Sequence, residues 1–73
     1  MTRTIFTFDT THHALWAEEV ARERRIAHEV IPAPPEAHAK CSIAIETLPD
    51  EEQTLAGALD AATVPYALYL PPG

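Results

Sequence analysis

Apolar side chains recur along this chain with two different periods, near two in some stretches and near 3.6 in others. Thr4 to Phe8 is β-branched and aromatic and predicts a strand over about residues 4–8. Asp9-Thr10-Thr11 then supplies helix-capping residues. From there Ala14, Ala17, Val20 and Ala21 recur at helical spacing, while Glu18, Glu19, Arg22 and Glu23 take the wet side. A helix over about 11–25 follows, with Trp16 beside the apolar stripe. Arg22, Arg24 and Arg25 gather at its C-terminal end, where cations complement the helix dipole.

Ile26 to Ile31 predicts a second strand, and His28 and Glu29 inside it suit a sheet edge. Prolines 32, 34 and 35 end it, and residues 32–40 read as a loop. Cys41 to Glu46 alternates, with Cys41, Ile43 and Ile45 on one side, and predicts a third strand over 41–46. Thr47-Leu48-Pro49-Asp50 resembles a capping-box start for a helix over about 49–62, striped by Leu55, Ala58, Leu59 and Ala62. Residues 66–70 predict a fourth strand, and Pro71-Pro72-Gly73 a frayed end.

The order β-α-β-β-α-β over residues 1–73 predicts one domain with an α+β, ferredoxin-like architecture. Two right-handed crossovers joined by a hairpin give a four-stranded antiparallel sheet of order 4132, with both helices on one face. That topology makes the first and third strands neighbours. It therefore brings the start of the first helix to the same sheet edge as Cys41, across about thirty residues of chain. Thr10, Thr11, His12 and His13 should lie near the thiol, and His38 and Lys40 precede it in sequence. Backbone N–H groups at a helix N-terminus favour an anion, so a thiolate there would be stabilised.

Composition narrows the chemistry. Eleven acidic residues against five Lys and Arg give a net charge of −6, which argues against nucleic acid as a partner. One cysteine makes no internal disulfide, and no apolar run suggests a leader or a membrane span. The expectation is a cytoplasmic protein with a reduced thiol. There is no Ser-His-Asp set, no paired catalytic carboxylates and no glycine-rich phosphate loop, and no cofactor is expected.

Thr10-Thr11-His12-His13-Ala14-Leu15, then Val30-Ile31-Pro32-Ala33-Pro34, then Cys41 before Ile43-Ala44-Ile45, resemble the DUF3343 family of small bacterial and archaeal proteins, described as selenium/sulfur carrier protein-like. The likeness covers nearly the whole chain. Where that family carries an arginine after the second proline, this chain has Pro35. Its Ser-rich stretch is His38-Ala39-Lys40 here, and its Cys-Gly is Cys41-Ser42. The resemblance implies a carrier that takes up sulfur or selenium on Cys41 and passes it to transfer proteins, without turning over a substrate of its own.

Cys41 is accordingly the candidate reactive residue, the alternative being a small hydrophobe at a strand start. Thr10, Thr11, His12, His13, His38 and Lys40 are candidate ligand- or anion-binding residues. The helix-start threonines also serve as caps, and the histidines also fit an ordinary first turn. Two further functions are open: an interaction module that forms a homodimer through the uncovered sheet face, with Ile5, Ala44 and some of residues 66–70 on it, and a weak soft-metal binder through Cys41 and His12 or His13. No CxxC or HxxxH spacing supports a structural metal site, and none is expected.

Overall fold

The computed structural model describes residues 3–71. Along the chain run β1 (Thr4–Thr7), α1 (Thr11–Glu23), β2 (His28–Pro32), a 3-10 turn (Pro35–Ala37), β3 (Ile43–Thr47), a second 3-10 turn (Pro49–Glu51), α2 (Glu52–Ala61) and β4 (Ala67–Tyr69). The strands form one sheet in the order β2-β3-β1-β4, every neighbouring pair antiparallel. This is the 4132 order of the ferredoxin-like α+β fold, read from the other edge.

Register fixes the two faces. Val30, Ile45, Phe6 and Leu68 stand opposite one another across the sheet, and so do His28, Thr47 and Thr4. These rows face the helices. Phe6 and Ile45 enter one buried cluster with Phe8, with Ala14, Ala17, Val20 and Ala21 of α1, and with Leu55, Ala58 and Leu59 of α2. Burying a Phe, Ile or Leu side chain is worth about 1.5–3 kcal/mol each. The alanines add little area, but their short side chains let α1 lie close to the sheet.

The opposite face carries the rows Glu29-Glu46-Ile5-Tyr69 and Ile31-Ala44-Thr7-Ala67. Ile5, Thr7 and Ala44 are nevertheless buried within the single chain, and Arg3 bonds Glu46 on this face at 2.6 Å. The large exposed apolar residues, Leu15, Trp16, Val30, Leu48, Leu68 and Leu70, all lie off these two rows. The uncovered face therefore presents less apolar surface for pairing than the sequence pattern suggests.

Element boundaries shift for identifiable reasons. α1 stops at Glu23 rather than 25 because Arg25 turns into the left-handed region (φ 57°). The Ile26 N–H then bonds the Ala21 carbonyl and the Arg25 N–H bonds that of Arg22. These two bonds are a Schellman ending, with Ile26 as its buried apolar contact. Ile26 thus closes a helix instead of opening β2, which starts at His28. α2 ends the same way: Thr63 has φ 59°, Val64 N–H bonds the Leu59 carbonyl, and Thr63 N–H bonds that of Asp60.

The capping box at Thr47 is not formed. Thr47 is the last residue of β3, and its hydroxyl donates to the Ala27 carbonyl at 2.6 Å. The acids that follow make a 3-10 turn before α2 begins at Glu52. β3 runs 43–47 rather than 41–46, because the Cys41 N–H is committed to the Phe8 carbonyl at 3.1 Å, before the ladder proper. β4 is limited to 67–69; Tyr66 turns to pack its ring 5.2 Å from that of Phe6. Of the expected frayed end, Pro72 and Gly73 lie outside the described residues.

Candidate functional site

Cys41 lies at the end of β1 and the start of α1, as the strand order requires. Two contacts define its sulfur. The Thr11 hydroxyl is 3.7 Å from Sγ, within reach of a weak O–H···S or S–H···O bond, and the Ile43 N–H donates to Sγ at 3.5 Å. The residue is 4% exposed and belongs to the core cluster. The thiol is therefore both close to a helix N-terminus and covered.

Thr10 is the N-cap of α1: its backbone is extended (φ −138°, ψ 155°) and its hydroxyl accepts from the His13 N–H at 3.1 Å. An α-helix leaves its first N–H groups without intrahelical partners. With His13 served by the cap, the N–H groups of Thr11 and His12 remain at the end where the Thr11 hydroxyl meets Sγ. Among the described residues, the Thr11 hydroxyl and the Ile43 N–H are the two groups within hydrogen-bond reach of the sulfur.

The remaining candidates are spread around this edge. His12 is exposed and turns toward Trp16, with ring centroids 6.3 Å apart, and toward His13 at 6.0 Å. His13 is half-buried, and its Nδ1 has no hydrogen-bond partner. His38 and Lys40 are exposed on the loop before Cys41, His38 in the left-handed region (φ 53°). Both line a cleft of about 300 Å³ with Phe8, Asp9, Pro65 and Tyr66, and Cys41 does not line it. Burial, with Asp60 adding, holds the Tyr66 phenol above its ordinary 10 and so protonated. Thr11 is thus the one side chain of this group with a polar contact to the thiol.

Among the described residues no three His, Cys, Asp or Glu side chains converge where a metal ion could sit. The soft-metal alternative has no ligand set there. Nor, among the described residues, is any helix long and apolar enough to cross a membrane.

Ile43 is the contact that sequence reasoning passed over. A signal was present: a side-chain acceptor at a turn commonly takes the N–H two residues on, as Asp and Ser do. Cys41 stands in that position relative to Ile43.

No curated protein and no solved structure is matched by the chain. A family model with the description "Putative Se/S carrier protein-like" matches residues 3–70, nearly the full length and including β1, α1 and Cys41. The chain belongs to this Se/S carrier protein-like family.

Proposed function

We propose that the protein is a small sulfur or selenium carrier whose working atom is Cys41 Sγ. The observation that carries this reading is the contact between Sγ and Thr11 at the first turn of α1. The family match supports the class of cargo.

The exchange is a thiol–persulfide transfer. Cys41 loses its proton, and the thiolate attacks the outer sulfur of a donor persulfide. The donor S–S bond breaks, the donor leaves as a thiolate, and a new S–S bond forms on Cys41. An acceptor thiolate reverses these roles, so no external oxidant or reductant enters. Selenium in place of the outer sulfur follows the same exchange. Such a protein transfers an atom and turns over no substrate of its own, in keeping with a reduced, cytoplasmic setting.

The Thr11 hydroxyl and the Ile43 N–H would hold the anionic sulfur, beside the N-terminal end of α1. Burial would shield a loaded persulfide from water and stray thiols. Entry then requires outward movement of the segment 33–42. It is tied by the Ala33 N–H to the Ser42 carbonyl, by the Cys41 N–H to Phe8, and by the two bonds of its 3-10 turn. His38 and Lys40 lie on that segment and would face the donor's anionic persulfide group as the segment opens.

Intact mass after incubation with a cysteine desulfurase and L-cysteine tests the proposal. The expected result is a gain of one sulfur atom, reversed by reductant and absent in Cys41→Ser. No gain, while a control carrier in the same mixture is loaded, would sink it.

A further inference from the structure

α1 carries a second stripe besides its buried one. Residues 12, 15, 16 and 19 stand at i, i+3, i+4 and i+7 and so share one helix face, away from Ala14, Ala17 and Ala21. A surface helix ordinarily fills such a face with charge. Here Leu15 is 57% exposed and Trp16 38%, adjacent to each other, with the His12 ring against the indole. The four side chains line one shallow surface groove, in which Glu19 is the acidic member. Tryptophan, with tyrosine and arginine, is enriched among the residues that dominate binding energy at protein interfaces.

The position of the groove matters as much as its composition. Leu15 is one helical turn, about 6 Å along the axis, beyond Thr11, whose hydroxyl meets the thiol. A protein seated on Leu15 and Trp16 would thus have its surface beside the end of α1 that meets Cys41. The chain's charge of −6, with Glu19 at the rim, favours a partner that is basic around an apolar socket and disfavours a second copy of the same acid-rich chain.

We infer that the Leu15–Trp16 face of α1 is the docking surface for the persulfide-bearing donor protein, which presents an apolar socket edged by Lys or Arg. The inference rests on the carrier reading of Cys41. The apolar pair supplies the contact, and Glu19 sets salt-dependent encounter. Docking there places the donor's outer sulfur at the helix end, where the exchange described above occurs.

The test compares two sulfur sources on the same chain: glutathione persulfide, which needs no docking, and the persulfide form of a cysteine desulfurase. The doubly substituted Leu15→Ser, Trp16→Ala chain should load from the desulfurase at least about tenfold more slowly and from glutathione persulfide at the wild-type rate. Glu19→Lys should slow only the desulfurase reaction and flatten its salt dependence. Equal slowing with both sources would overturn the inference, because the residues would then be acting on the thiol itself. So would unchanged rates with both, or a wild-type chain that loads from the small persulfide but not from the desulfurase. A wild-type dimer in sedimentation that the double substitution dissolves would assign the face to self-association and overturn it too. Failure of the wild-type chain to load from either source would instead strike the carrier reading, and the docking inference with it.

Discussion

His28 stands between two groups that only accept hydrogen bonds. Its Nδ1 is 2.7 Å from the Ile26 carbonyl and its Nε2 2.9 Å from a Glu18 carboxylate oxygen. Only the imidazolium donates from both nitrogens. Burial works against that charge and is the largest single influence, and Arg22 opposes it too. The Ile26 carbonyl and the Glu18 carboxylate together outweigh them, so the His28 pKa is raised above its ordinary 6.5. The linkage follows in sign: the contribution of His28 to stability is complete below about pH 6.5 and is lost as pH rises through the higher folded value. Urea unfolding of the wild-type chain should therefore show this contribution to stability falling as pH rises above about 6.5. His28→Gln should lose that part of the slope; an unchanged slope would mean other groups carry it.

At the scale of elements, both helices end in Schellman turns that lack glycine. Arg25 and Thr63 take the left-handed position, and for a β-branched threonine this is strained. Thr63→Gly should raise stability by about 0.5–1 kcal/mol in denaturant unfolding, despite glycine's greater freedom in the unfolded chain. Gly57 is the opposite case. It sits inside α2, and a Cβ placed there meets nothing within 4 Å. Gly57→Ala should therefore add about 0.5–1 kcal/mol. A destabilised variant in either case would contradict the helix endings or the helix itself. The same two turns explain what the sequence hid. Without glycine at the stop, Ile26 passes for the start of a strand, although it is the buried residue that closes α1. Thr47 and the acids after it look like a capping box, and only the Ala27 carbonyl across the sheet shows where the hydroxyl goes. The strand order, by contrast, was legible, because handed crossovers leave few ways to arrange β-α-β-β-α-β.

At the scale of the molecule, that strand order brings Cys41 to Thr11 across an intervening helix, strand and loop. Helical phase then separates the candidates. Thr11, itself exposed, is three residues before Ala14 and stands in line with the buried stripe; His12 falls on the stripe of Leu15, Trp16 and Glu19 and turns away. This distinction was present in the sequence. The depth of the thiol was not, since it depends on how the loop before β3 closes over the sheet edge. Proximity of Cys41 to a helix start is compatible with a structural cysteine as well as a carrier. What separates them is whether the atom taken up can be given back. The direct measurement is a pulse-chase with radiolabelled sulfur: load the chain from a desulfurase supplied with labelled L-cysteine, remove the donor, then chase with an acceptor thiol. The account predicts one labelled sulfur on Cys41, none on Cys41→Ser, and release of the label to the acceptor with the free thiol regenerated. Label that never arrives, arrives equally on the serine variant, or cannot be chased from Cys41 would contradict it.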